Sequence, residues 1–129
     1  MSDRVIADTS VLVGLEAGRV NAVDLVKHAW AVSAITVGEL RLGVLQAAVP
    51  EIASIRLTTY EIALQFDPLP IDESVCDAWA RLVASLRAIG RRMPVNDSWI
   101  AATALAHGVP VVTRDADYDG APGLAVIKI

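Results

Sequence analysis

Only one cysteine, Cys76, stands among the 129 residues, so the chain has no internal disulfide and no cysteine-based zinc site. Its charged neighbours in a helical pattern give it no chemical role. Long hydrophobic runs are missing too. The longest uncharged stretch, Ser98 to Thr113, falls short of the roughly 20 residues a membrane span needs, and Gly108 and Pro110 interrupt it. The N-terminus carries Asp3, Arg4 and Asp8 instead of a basic leader followed by an apolar stretch, so a cytoplasmic protein with no membrane contact is expected. A basic excess is also lacking, since the formal charge is −4. That total does not exclude a nucleic-acid partner. Asp8, Glu39, Asp97, Asp115 and Asp117 would outweigh the whole net charge if they shared one site. Arg87, Arg91, Arg92 and Arg114 would then be left to face phosphate.

What is abundant is apolar side chain: 54% of residues, with mean hydropathy +0.49. The chain has the size of one domain, residues 1–129, with a single core. So oily a composition predicts apolar surface kept for a partner.

The pattern along the chain alternates strand and helix. Arg4 to Ala7 reads as a buried strand ending at the polar turn Asp8-Thr9-Ser10, where Thr9 or Ser10 caps a helix over Val11 to Ala17 that Gly18 stops. Asn21 to Ala29 reads as a second helix, Trp30 to Ala34 as a second strand, and a third helix begins near Thr36 and ends before Pro50. Pro50 starts a fourth helix reaching about Gln65, and a short strand follows near Leu69 to Ile71. Asp72 caps a helix whose apolar stripe is Val75, Trp79, Leu82, Val83, Leu86 and Ile89, closed at Gly90. A basic loop, Arg91 to Val95, leads to a helix opened by Asn96 or Asp97 and ended at Gly108, then strands at Val109 to Thr113 and Leu124 to Ile129. Such alternation implies an α/β fold with a mostly parallel sheet flanked by helices. Ligands bind beyond the carboxyl ends of such strands, which is where Asp8 and Asp115 fall.

Asp97 in the first turn of its helix and Glu39 one turn into the third helix can reach the same rim. Carboxylates gathered there raise one another's pKa values unless a cation joins them, and hard oxygen donors suit Mg2+ or Mn2+. Two such ions suit phosphodiester hydrolysis by an activated water. Each residue has a plainer alternative. Asp8 can cap the first helix, and Asp97 can cap its own. Thr36-Val37-Gly38-Glu39 fits a capping box. Asp115 and Asp117 fit a solvated turn before Gly120.

Four stretches resemble the PIN-domain family and, within it, the VapC toxins of toxin–antitoxin pairs. They are Val5-Ile6-Ala7-Asp8-Thr9-Ser10-Val11-Leu12, Ser33 through Gly43 with Glu39 at its centre, Asn96 through Ala104, and Val111-Val112-Thr113-Arg114-Asp115-Ala116-Asp117-Tyr118. In order and spacing they cover nearly the whole chain. The resemblance implies a five-stranded parallel sheet and a metal-dependent endoribonuclease, with Asp8, Glu39, Asp97 and Asp115 catalytic and metal-binding and Asp117 assisting. The division of labour between Asp115 and Asp117 stays open. Thr9, Ser10 and Thr113 are placed to orient ligands, and Arg114 either touches substrate phosphate or pairs with Asp117. The implied partners are RNA, a VapB-type antitoxin and a second copy of the chain. Ile52, Ile55, Leu57, Ile62 and Leu64, read as belonging to the third and fourth helices, are candidates for the antitoxin groove or the dimer interface; the alternative is ordinary core.

Other schemes fit less well. A receiver-type signalling domain would use Thr113 and Lys128, but it needs paired acidic residues after the first strand and a phosphoacceptor after the third, where Asp8 stands apart and Asp72 reads as a cap. An aspartyl phosphatase needs a second aspartate where Ser10 stands. A catalytically inactive PIN-fold binding module would have lost a carboxylate, and none of the set is missing.

Overall fold

The computed structural model describes residues 4–129. Five strands, β1 (Arg4–Ala7), β2 (Ala29–Ser33), β3 (Pro68–Leu69), β4 (Val111–Thr113) and β5 (Val126–Lys128), form one sheet in the order β3-β2-β1-β4-β5, every pair parallel. The helices are α1 (Thr9–Glu16), α2 (Ala22–Leu25), α3 (Ala34–Leu45), α4 (Pro50–Leu64), α5 (Glu73–Ala88) and α6 (Val95–His107). None is long and apolar enough to cross a membrane among the described residues.

The period of two along each strand divides the core. Ile6, Ala31 and Val111 face one way and pack with Leu82 and Leu86 of α5 and Ile100, Ala101 and Ala104 of α6. Their neighbours Val5, Ala7, Val32 and Val112 face the other way and pack with Val11 and Leu12 of α1, Leu40 of α3 and Ala63 of α4. Burial on both faces explains why the strands read as continuous apolar runs instead of alternating ones. Each fully buried Leu or Val contributes about 1.5–3 kcal/mol.

The chain runs outward from β1 to β2 and β3, then returns to place β4 on the opposite side of β1. The sheet order therefore reverses between β1 and β4, and the Asp8 amide donates to the Val112 carbonyl at 2.9 Å across that junction. A crevice at the carboxyl ends of such strands is the expected ligand position.

Several boundaries differ from the sequence expectation. Asp8 itself, not Thr9 or Ser10, is the N-cap of α1. The helix expected over Asn21 to Ala29 shrinks to Ala22–Leu25, because Ala29 is drawn into register with Arg4. Helix α3 starts at Ala34, with the Ser33 hydroxyl accepting from the Ile35 amide at 3.1 Å, so Thr36 caps nothing. Strand β3 stops at Leu69, and β4 and β5 begin at Val111 and Val126. Pro94 occupies the N-cap position of α6, which leaves Asn96 and Asp97 inside the first turn. Ile89 falls beyond α5 and is exposed, outside the buried stripe of Val75, Leu82 and Leu86. All of Ile52, Ile55, Leu57, Ile62 and Leu64 belong to α4; none is fully buried, and four are exposed, so they are not ordinary core.

Candidate active site

Asp8 leaves β1 only 2% exposed, and both of its carboxylate oxygens accept hydrogen bonds. Oδ1 accepts from the Tyr118 hydroxyl at 2.8 Å, and Oδ2 accepts from the Thr113 hydroxyl at 2.9 Å and the Ser10 amide at 3.4 Å. Capping and site membership are thus one geometry. The cap fixes the carboxylate, and the hydroxyls from the β4 side hold both oxygens. The same stitching continues outward. The Arg114 amide donates to Ser10 Oγ at 3.0 Å and the Asp115 amide to Thr113 Oγ1 at 3.0 Å, tying the turn after β4 to the start of α1.

Glu39 points to the same rim. With Ser33 as the cap of α3, the capping-box reading fails. Glu39 Oε1 instead accepts from the Thr9 hydroxyl at 2.7 Å, and Oε2 accepts from the Asn96 side-chain amide at 3.2 Å. Thr36 lies buried beneath, its hydroxyl 3.0 Å from that of Thr9.

Asp97 joins these two. It makes no capping bond, and its half-buried carboxyl is close enough to that of Asp117 for this neighbour to disfavour its charge. Its pKa is pushed up to about 7, first by burial, then by the proximity of Asp117 and by the negative charges of Asp8, Asp117 and Glu39. A carboxyl so disfavoured as an anion tends to keep its proton, and a cation can replace that proton. Asp115 lies at the exposed rim. Burial and the charges of Asp8 and Asp117 raise its pKa, while Arg114 and Lys128 oppose the rise. Asp8, Glu39, Asp97 and Asp117 are brought together, with Asp115 at the margin.

Among the described residues no three acidic, His or Cys side chains close into a ready-made metal cage. The donor set nevertheless fits a hard divalent ion. It consists of carboxylate oxygens with hydroxyls behind them, contains no nitrogen or sulfur ligand, and through burial and then mutual repulsion favours a proton on Asp97 near neutral pH.

Sequence reasoning missed three contributors. Tyr118 is fully buried, and its pKa is raised by burial and by the charges of Asp8 and Asp97. A phenol so placed stays protonated and acts as a hydrogen-bond donor. Asn96 and Thr36 are the other two. Tyr118 and Asn96 lie inside the motifs already singled out, but nothing in the sequence indicates where their side chains reach. Arg114 also departs from expectation. No ion pair joins it to Asp117 among the described residues, and its side chain lies over α1, where a Cβ on Gly14 would approach its Cδ to 2.8 Å. Lys128 pairs with Asp119 at 3.0 Å, and no ion pair joins it to Asp8 among the described residues, which counts against the receiver-type scheme.

Replacing Tyr118 by phenylalanine deletes one donor to a buried carboxylate. The expected cost is about 1.5–3 kcal/mol of stability, read from the denaturant midpoint, and about 10–100-fold in activity through loss of Asp8 orientation. An unchanged midpoint would mean that water replaces the phenol.

Comparison with known proteins places this geometry. The profile of the PIN domain matches residues 5–124. Ribonuclease VapC4 of Mycobacterium tuberculosis is 55% identical over 126 residues, covering 98% of this chain and 97% of that protein. Ribonuclease VapC5 of the same organism is 39% identical over 127 residues, covering 96% and 94%. The crystal structure of VapBC-5, a member of the VapBC family of toxin–antitoxin systems from M. tuberculosis, superposes with a TM-score of 0.83 at 35% identity, covering 98% of this chain and 99% of that one.

Proposed function

The chain belongs to the PIN-domain family, and from that premise we propose that it is a metal-dependent endoribonuclease serving as the toxin of a toxin–antitoxin pair. The observation that carries the reading is that the Asp8 carboxylate, held by Thr113 and Tyr118, and the Glu39 carboxylate, held by Thr9 and Asn96, are fixed at the point where the sheet order reverses, with Asp97 feeling the charge of both. Asp8, Glu39, Asp97 and Asp117 would hold Mg2+ or Mn2+, with Asp115 reaching in from the rim. Such an ion supplies positive charge against phosphoryl oxygens and lowers the pKa of water.

The chain's own part is positioning. Thr113 and Tyr118 keep the Asp8 carboxylate in one orientation, and Thr9 with Asn96 keeps that of Glu39. These bonds let the carboxylates face one another without turning away to solvent. Asp97, with its pKa near neutrality, is the group that gives up a proton when the site is loaded. Arg114, whose charge reaches Asp115, would meet a substrate phosphate as it enters.

The partner is a VapB-type antitoxin, as in the VapBC complex that this fold matches. The exposed Ile52, Ile55, Leu57 and Leu64 of α4 supply apolar surface for the antitoxin or for a second copy of the chain.

The test is cleavage of purified transfer RNA by the purified chain with Mg2+ or Mn2+. Cleavage that stops with chelator and returns with excess metal is expected. Intact RNA under all these conditions, or cleavage indifferent to chelator, would overturn the reading.

A further inference from the structure

A second feature lies beside the acidic cluster and is opposite in character. A cavity of about 110 Å³ opens between α5, the loop after it and the start of α6, and its lining includes Trp79, Arg87, Arg91, Arg92, Met93 and Ser98. No carboxylate lines it, in a protein whose net charge is −4. Among the described residues neither Arg87 nor Arg92 forms an ion pair, and both are exposed.

Trp79 is held in place. Its indole N–H donates to Ser98 Oγ at 3.0 Å, and its ring stacks on Trp99, centroids 4.5 Å apart and planes 4° from parallel. Trp99 thus backs a rigid aromatic wall instead of leaving a mobile side chain. The cavity is also coupled to the acidic site. Ser98 lines it while the adjacent Asp97 sits among the carboxylates, and the Arg91 guanidinium donates to the Asp117 carbonyl at 3.4 Å.

A fixed indole beside unpaired guanidiniums is how proteins hold single-stranded nucleic acid. The base stacks on the aromatic face, the phosphate meets the cation, and base identity matters little. We propose that this cavity is a subsite for one unpaired nucleotide of the RNA substrate, with Trp79 stacking the base and Arg87 and Arg92 engaging the flanking phosphates. The inference rests on the ribonuclease reading. It assigns this surface the task of feeding a splayed-out strand toward Asp97, and so selects loops and single strands over duplex.

The test uses a fluorescein-labelled single-stranded RNA decamer in chelator, so that binding is read without cleavage, followed by cleavage kinetics with Mn2+. Trp79→Leu is expected to weaken binding about tenfold, while Trp79→Phe keeps most of it. The double variant Arg87→Gln/Arg92→Gln is expected to flatten the salt dependence, reducing the slope of log K against log salt by about 1.4. In cleavage both losses fall on KM with kcat nearly kept, and Arg81→Gln, whose guanidinium pairs with Asp77 outside this cavity, stays as wild type. Because Trp79→Leu can perturb packing, melting curves accompany it and the arginine pair serves as the independent arm. Wild-type protein that cleaves RNA alongside variants with unchanged binding and KM would overturn the subsite alone. Wild-type protein that never cleaves RNA overturns the ribonuclease reading and the subsite with it. Variants that lose a dimer by sedimentation would assign the surface to a second copy of the chain and overturn the subsite too.

Discussion

Asp97→Asn is expected to reduce RNA cleavage by a hundredfold or more while raising the melting temperature of the metal-free protein. The two effects have one cause. Asp97 is half-buried, and burial first, then the neighbouring Asp117, Asp8 and Glu39, lift its pKa to about 7. In the proposed site that carboxylate would be a metal ligand, so its loss would remove the activity that depends on the metal. Without the cation the same charge is a liability, and an amide relieves the repulsion while still able to donate a hydrogen bond to Asp117. The stabilisation should be greatest at pH 8 and shrink as the pH falls toward 4, where Asp97 carries its own proton.

Asp8→Asn makes the contrast that identifies the mechanism. Activity falls as far, but stability should fall as well. The Asp8 carboxylate accepts from Tyr118, Thr113 and the Ser10 amide, and an asparagine at that buried position turns an NH2 group toward donors. A loss of about 1.5–3 kcal/mol is expected. Thermal melts of both variants in chelator, read by circular dichroism, give the signs directly. Opposite signs are required; a common sign would mean that the two carboxylates do not divide into one anchored and one strained.

Much of this division could be read from the residues, and some could not. Asp8 and Asp115 were legible as edge residues because a buried strand that ends in a polar turn delivers its next side chain to the sheet's carboxyl rim. Glu39 was ambiguous for a local reason. Ser33 and Thr36 are both competent helix caps, and the choice rests on where β2 ends, which is set by its pairing with β1 and β3. Once Ser33 takes the cap, Glu39 no longer stands three residues after it and is left to bond Thr9 and Asn96. Asp97 resolves similarly, through Pro94 holding the cap position. Whether Asp115 or Asp117 is nearer the cluster depends on the turn after β4, which Ser10 and Arg91 hold by bonds between residues far apart in sequence. Tyr118 was invisible for the same reason. Its hydroxyl meets a carboxylate 110 positions earlier, a contact no local pattern encodes.

The pH response of the metal-free protein should be offset when divalent metal is bound. The folded-state pKa of Asp97 lies above its unfolded value, so between pH about 4 and about 7 the native state holds more protons than the unfolded one. Stability therefore declines as pH rises through that window, the reverse of an ordinary ion-paired aspartate. The raised pKa of Asp115 adds to the decline. In the proposed site divalent metal would bind only the native cluster and compete with the proton on Asp97, so its contribution should grow with pH. At a free concentration one hundred times the dissociation constant, binding adds about 2.7 kcal/mol, or about 10 °C in melting temperature for a domain of this size. The shift induced by Mn2+ should be largest at pH 8 and much smaller at pH 6. Asp97→Asn should remove both the shift and most of its pH dependence. If Mn2+ shifted the wild-type melting temperature equally at both pH values, or not at all at millimolar concentration, the carboxylates of Asp8, Glu39, Asp97 and Asp117 would not be acting as one ion-binding unit.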